Sequence, residues 1–430
     1  MPFPSKHRVA TFLAAVQVFV ALQLAAAASQ PPACDPGNGG ITLPPGFCAL
    51  VAADGLGPAR HIAVAANGDV YVAIQSDDKH KGGVVALRDT KGDGRLDMKE
   101  AFGTGSSTGI ALRNGYLYLA HFNSVERFKM TPGQLTPSGP PETLVSGLPG
   151  VDEHGDKGIA FDGAGSFYVN VGGPSNACQP RNRQKGVPGQ DPCDLLKEHG
   201  GIWKFDENKL GQKQSDGVRY ATGLRQMPAI AWHYGALYIV MNNRDQLDTL
   251  WPEHFTAQDN AERPAEPMYR AVQGSNFGWP YCFYDYGLKK LLLSPEYGGD
   301  GKMVGRCTQF DLPVASFPAH WAPVDLMFYD GTQFPARYRG GAFIAFHGSW
   351  NRAPMPQAGS NVTFQPFADG KPAGKFEVFA GGFAGKTPAP MNPDEAVARA
   401  DGVAEAPDGS LYIGESQKGK IWHVFYRGAK

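Results

Sequence analysis

Six times along this chain, an apolar stretch with period-two alternation runs into a turn and returns as a second apolar stretch. The copies begin His61-Ile-Ala-Val, Gly109-Ile-Ala-Leu, Gly158-Ile-Ala-Phe, Ala229-Ile-Ala-Trp, Asp325-Leu-Met-Phe and Gly402-Val-Ala-Glu. Five return through an apolar-Tyr-apolar triplet centred on Tyr71, Tyr118, Tyr168, Tyr238 and Tyr412, and the fifth copy returns as Ala342-Phe-Ile-Ala-Phe346. Turn pairs such as Asn67-Gly68, Asn114-Gly115 and Asp408-Gly409 stand between the halves, so each copy reads as a β-hairpin. The interval between copies widens from about 48 residues to nearly 100, which suits blades of four short strands with insertions between some of them. The chain is therefore expected to be all-β, a six-bladed β-propeller. A TIM barrel needs helical periodicity between its strands, and almost none is present. A two-layer sandwich does not account for six near-identical hairpins in series.

Glycine and proline make up about a fifth of the chain while the hydrophobic share stays at 42%, so the composition means many turns around a real core. Forty Lys and Arg against 41 Asp and Glu leave no basic field to hold phosphate backbones or anionic lipid, and no nucleic acid partner is expected. Lys6-His7-Arg8, an apolar run from Val9 to Leu24 and small residues up to Ala28 read as a signal peptide over residues 1–28. That run is interrupted by Thr11, Gln17 and Gln23 and is too short for a membrane span. Residues 29–430 are expected to form one exported domain, secreted or periplasmic.

The six cysteines fall into three short-range couples, Cys34 with Cys48, Cys178 with Cys193 and Cys282 with Cys307. In an exported chain they read as disulfides, although six cysteines allow fifteen pairings and proximity is only a guide. Ligands of propellers usually sit on the axis, so the insertions at 174–200, 243–285 and 348–400 are expected to build a mouth there.

Four stretches carry a family resemblance: Tyr220-Ala-Thr-Gly-Leu-Arg225-Gln-Met-Pro, Met241-Asn-Asn-Arg244-Asp245, Gly274-Ser-Asn-Phe-Gly-Trp279-Pro-Tyr-Cys282 and Phe346-His-Gly-Ser-Trp350-Asn-Arg352. In order and spacing they resemble the glucose/sorbosone dehydrogenase family of quinoproteins, above all its sorbosone and pyranose dehydrogenase branches. The resemblance implies pyrroloquinoline quinone (PQQ) over the axis, a calcium ion (Ca2+) beside it, and oxidation of a sugar by hydride transfer. It makes His154 the base that takes the hydroxyl proton, a role suited to imidazole, and implies an activity that rises through an ionisation near neutral pH. It gives Arg225 to the oxygen that gains charge during transfer. Gln226 stands where the family has Asn, and Pro228 is displaced by one position.

The calcium ligands implied are two backbone carbonyls, here those of Asn243 and Arg244, with Asn243 replacing the usual glycine. Arg352 and Arg399 are the first candidates for the cofactor's carboxylates, Arg60 and Lys157 the second, since arginine pairs with carboxylates in bidentate fashion. His347 joins them as cofactor contact and as an alternative base. Trp350 stacks on a cofactor face or packs between blades. With no haem or flavin motif in the chain, electrons must leave to an external acceptor such as a cytochrome.

Two other functions compete with this one: a lactonase-type hydrolase, whose metal would be held by several carboxylates at the inner strand ends, and a non-catalytic propeller that binds a glycan or protein. The residues expected there, His154, Arg225, Arg352 and Arg399, make a cationic mouth that suits an anionic cofactor better. Asp89 to Glu100 has the spacing of a calcium loop, but Lys91 occupies a ligand position and favours a plain polar turn. Asn361-Val-Thr363 fits a glycosylation sequon.

Overall fold

The computed structural model describes residues 1–2, 32–150 and 153–428, so the expected signal segment lies almost wholly outside it. Six antiparallel sheets of four principal strands surround a ring of inner strands. In chain order these are Ala59–Val64, Ser107–Arg113, Ile159–Phe161, Gln226–His233, Pro323–Phe328 and Ala400–Glu405. Each packs against the next, and the last packs against the first, which closes a six-bladed β-propeller. The six hairpins of the sequence are the inner two strands of the six blades.

Crowding at the axis explains the repeat's composition. A Cβ added to Gly158 would lie 2.1 Å from the Pro228 carbonyl oxygen, one on Gly109 2.6 Å from that of Lys157, and one on Gly402 2.5 Å from that of Arg60. Glycine therefore opens three of the six repeat copies because the neighbouring backbone leaves no room for a side chain. One step outward the pattern is small opposite large. Ala63 pairs with Tyr71, Ala111 with Tyr118, Ala160 with Tyr168, Ala231 with Tyr238 and Ala404 with Tyr412. The five tyrosines are at most 5% exposed, filling the wedge that opens between blades as they diverge from the axis. In the fifth blade the pair is Met327 with Phe343.

The last blade takes its outer strand from the other end of the chain. Phe47–Ala53 pairs antiparallel with Ile421–Tyr426, so the ring is closed by hydrogen bonds between segments at opposite ends of the chain. Phe47 is 8% exposed and meets Phe334, Tyr338, Phe379 and Tyr426. Cys34–Cys48 clips the approach to this strand. Cys178–Cys193 and Cys282–Cys307 are also formed, as expected from their proximity. No helix among the described residues is long and apolar enough to cross a membrane.

The calcium-like loop is a turn filled by its own groups. The Asp89 carboxylate accepts from the amides of Lys91, Gly92 and Gly94, and the Lys91 ammonium lies 3.1 Å from Asp97. Asn361 of the sequon sits in strand Asn361–Gln365 and is 5% exposed, so a glycan attached to it is incompatible with this packing.

Gly158→Ala should lower stability by about 1–3 kcal/mol, because the new methyl meets rigid backbone. Gly139→Ala, where the added carbon meets nothing within 4 Å, should stay within about 0.5 kcal/mol of the parent. Urea unfolding checks both, and equal midpoints for the two variants would contradict the crowding argument.

Candidate active site

Five of the six inner strands carry a one-residue bulge where they approach the axis. A bulge re-aims the side chain at that point. The residue just ahead of each repeat copy is Arg60, Thr108, Lys157, Pro228, Val324 or Asp401. Five of these six line one cavity of about 260 Å³ on the axis. The exception is Lys157, in the one inner strand that pairs without a bulge. There the Asn170 side chain completes the ladder, its Oδ1 accepting from the Gly158 amide at 2.5 Å and its Nδ2 donating to the Asp156 carbonyl at 2.8 Å. Lys157 turns into the protein, donates to the Gly155 carbonyl at 2.7 Å and is fully buried, so it does not reach the cavity. Burial pushes its ammonium down to about 8. Asp156 takes its place in the wall.

His154, Arg225, His347, Trp350 and Arg399 complete the part of this wall expected from sequence. His154 has φ of 63°, unusual for a residue with a side chain, and sits against Gly172 and Gly173. A Cβ on Gly172 would lie 2.5 Å from the His154 carbonyl oxygen. This closeness lets His154 Nδ1 donate to the Gly173 carbonyl at 2.5 Å, which fixes the tautomer and leaves Nε2 as the lone-pair nitrogen. Burial and the Arg225 charge push the imidazole down to about 3, against the smaller pull of the Gly173 carbonyl, Asp245 and Glu153. Glu153 cannot offset them because Arg183 pairs with it at 3.3 Å. In the cofactor-free protein the ring is therefore held neutral through the physiological range.

Arg225 is 2% exposed. Its Nη2 meets Asp245 Oδ2 at 2.6 Å, its Nη1 donates to the Asn243 carbonyl at 2.8 Å, and its buried Nε has no partner. Asp245 lines the cavity and is held from behind by Arg183 at 3.1 Å and by Asn176, whose Oδ1 accepts from the Asp245 amide at 2.9 Å. The 174–200 insertion thus acts one layer back from the mouth, which is built by the other two insertions. Burial pushes the Asp245 carboxyl up, but Arg225, His320 and Arg183 together outweigh it and hold the group below the usual carboxylate range.

On the opposite side Arg60 pairs with Asp401 at 3.0 Å and donates to Gln75, and its buried Nε is unpartnered. Burial raises Asp401 to about 6 against the opposing Arg60 charge, and its Oδ1 also has no partner. Arg399 donates to the carbonyls of His347 and Gly348 at 3.1 and 2.7 Å. His347 Nε2 lies 2.6 Å from Ser416 Oγ, and burial with Arg399 and Arg60 holds its ring well below the usual histidine range. Trp350 is 55% exposed at the mouth and is not packed between blades.

Besides Lys157, three expected contacts fall elsewhere. Arg352 is turned away, its Nε donating to the Pro356 carbonyl at 3.0 Å and its Nη1 to those of Ala261 at 2.6 Å and Ala319 at 3.4 Å. Asn243 and Arg244 do not line the cavity. The Arg244 guanidinium is buried against both oxygens of Glu296. The mouth is also not simply cationic: Asp156, Asp245 and Asp401 line it beside Arg60, Arg225 and Arg399. Buried guanidinium groups need counter-charges, and sequence reasoning that followed the cations alone missed them. Aligning the residue ahead of each repeat would have found Thr108 and Asp401.

A family model described as TrAA12-like matches residues 41–427. The chain belongs to the TrAA12-like family. Among solved structures it is similar to the calcium structure of the family AA12 carbohydrate-active enzyme of Trichoderma reesei, at 18% identity, TM-score 0.72, covering 93% of this chain and 99% of that one. It is also similar to the holo form of the PQQ domain of pyranose dehydrogenase from Coprinopsis cinerea, at 17% identity, TM-score 0.68, covering 90% and 97%. The PQQ-bound aldose sugar dehydrogenase of Streptomyces coelicolor aligns at 17% identity, TM-score 0.53, covering 89% and 100%. At these identities the likeness is one of fold. A protein of uncharacterised function from Borreliella burgdorferi is 30% identical over 152 residues, 35% of this TrAA12-like chain, and the match spans about a third of its own length.

The depressed His154 sets a sign for acid stability. Below pH 6.5 the unfolded chain protonates this histidine and the native site does not until about pH 3, so its contribution is intact above 6.5 and lost as pH falls. His154→Gln should remove that loss. Between pH 6.5 and 4 the parent should lose up to about 1.4 kcal/mol more per pH unit than the variant in urea unfolding. Parallel acid limbs would mean that His154 protonates in the native site.

Proposed function

We propose that this chain is an exported PQQ-dependent sugar dehydrogenase that passes its electrons to an external acceptor such as a cytochrome. The observation that carries the reading is a neutral histidine of fixed tautomer beside a buried guanidinium, in a cavity whose opposite wall presents Arg60 and Arg399. Membership in the TrAA12-like family and the likeness to the pyranose dehydrogenase PQQ domain and the PQQ-bound aldose sugar dehydrogenase support it. Three disulfides and the leading basic-apolar segment support export.

The residues fit an anionic planar cofactor. The unpartnered Nε atoms of Arg60 and Arg225 are donors without acceptors in a buried setting, a costly state that an entering anion relieves. When bound, PQQ supplies a two-electron acceptor for hydride from a carbinol carbon. In this site Arg60 and Arg399 would hold its carboxylates, and Trp350 would cover the mouth with a flat apolar face. His154 Nε2 would take the sugar hydroxyl proton, which only the neutral ring can do. The Arg225 guanidinium would donate to the oxygen on which negative charge develops, already desolvated and held by Asp245.

The residues do not fit calcium at Asn243 and Arg244. The Asn243 carbonyl already accepts from Arg225, so a calcium ion there would have to share that oxygen with a guanidinium. Nor do the carboxylates suit a hydrolytic metal, since Asp401 is paired with Arg60, Asp245 with Arg225 and Arg183, and Asp156 accepts from Gln75 and Thr108.

Adding PQQ to the purified protein should produce a bound quinone spectrum that an aldose or pyranose bleaches. His154→Gln should keep cofactor affinity but lose about 10²–10⁴-fold in turnover. Arg60→Ala and Arg399→Ala should each weaken cofactor binding roughly tenfold or more. A His154→Gln protein that oxidises sugar at the parental rate would remove the base from this scheme.

A further inference from the structure

We infer that this chain holds its quinone without calcium, the guanidinium of Arg225 serving as the fixed cation of the site. The inference rests on the quinone reading above and concerns the loop at 242–246. A calcium ion there would need six to eight oxygen ligands, with the carbonyls of Asn243 and Arg244 as its protein anchors. The Asn243 carbonyl accepts Arg225 Nη1 at 2.8 Å. The Asn243 side chain is committed as well, its Oδ1 accepting from the Arg244 amide at 2.9 Å and its Nδ2 donating to the Ala265 carbonyl at 2.9 Å.

The surrounding charges point the same way. Arg244 keeps its guanidinium beside the loop, paired with Glu296 and donating to the Asp245 carbonyl at 3.3 Å. The nearest carboxylate in the cavity wall, Asp245, is shared between Arg225 and Arg183. Among the described residues no group of three His, Cys, Asp or Glu side chains could hold a metal. A dication arriving here would have to share the Asn243 carbonyl with the Arg225 guanidinium, or displace it, and would sit beside a charge that arginine cannot shed. An anionic ligand finds the cation it needs already in place, desolvated, with one N–H group unpartnered.

The test is a titration of the cofactor-free protein with PQQ, followed by quenching of tryptophan fluorescence, once in EDTA and once in millimolar calcium chloride. Dissociation constants within about threefold of each other, with less than a tenth of an equivalent of calcium in the complex by plasma emission spectroscopy, are expected. Binding that vanishes in EDTA and returns with one equivalent of calcium would overturn the inference and leave the quinone reading intact. Absence of binding in both buffers would remove the quinone reading and this inference with it. Arg225→Met alone leaves the buried Asp245 with Arg183 as its one remaining guanidinium partner, so the paired variant Arg225→Met/Asp245→Asn is the cleaner probe. It should lose at least tenfold in PQQ affinity in EDTA while its urea midpoint stays near the parent's, and unchanged affinity would contradict the role given to Arg225.

Discussion

Everything in this molecule follows from forcing six β-strands to run side by side around one axis. At that radius, the backbone of one inner strand comes within van der Waals distance of the next, and the chain answers with Gly109, Gly158 and Gly402. Slightly farther out the gaps widen, and alanine gives way to a tyrosine on the facing strand. Five of the six inner strands also bulge where they approach the axis. Each bulge turns one residue toward the axis, and together the five gather Arg60, Thr108, Pro228, Val324 and Asp401 around one cavity.

How much of this could be read from the sequence depends on the range of the interaction. The hairpins are local, written in alternation and turn residues within about a dozen positions, and all six are found where the pattern puts them. The closing strand Phe47–Ala53 carries no such mark, because its partner Ile421–Tyr426 lies at the opposite end of the chain. The site divides in the same way. His154, Arg225 and Arg399 stand near the starts of inner strands, where position predicts direction. Arg352 lies on a short turn, Trp350–Arg352, where direction is set by the nearby Pro356 carbonyl and by those of Ala261 and Ala319 in distant segments. Lys157 has the right position and the wrong backbone: without a bulge its side chain points inward.

The carboxylates were the least legible part, and electrostatics explains why they are present. A guanidinium 2% exposed, as in Arg225, is tolerable only beside a counter-charge, and Asp245 is that charge. Asp245 in turn is over-supplied with cations, which keeps it ionised despite its burial. Arg60 and Asp401 repeat the arrangement more weakly, with a single cation against burial, and there the carboxyl is raised to about 6. Two pairs of the same composition thus differ in protonation behaviour because one has Arg183 and His320 behind it and the other does not.

That difference separates the two sides of the cavity chemically. On the Arg225 side an ionised carboxylate holds a permanent cation in place, and burial together with that cation keeps His154 unprotonated; the group available to accept a proton is the imidazole. On the Arg60 side the carboxyl of Asp401 has an unpartnered Oδ1 and an affinity for protons near neutrality, while His347 is held neutral by burial and by Arg399 and Arg60. A ligand spanning the cavity therefore meets a base of fixed tautomer at one end and guanidinium donors with one weakly ionised carboxyl at the other. Such polarity suits a reaction in which a hydroxyl loses its proton at the first end while an anion is gripped at the second, and it does not suit a metal-activated water, which would need the three carboxylates free and convergent.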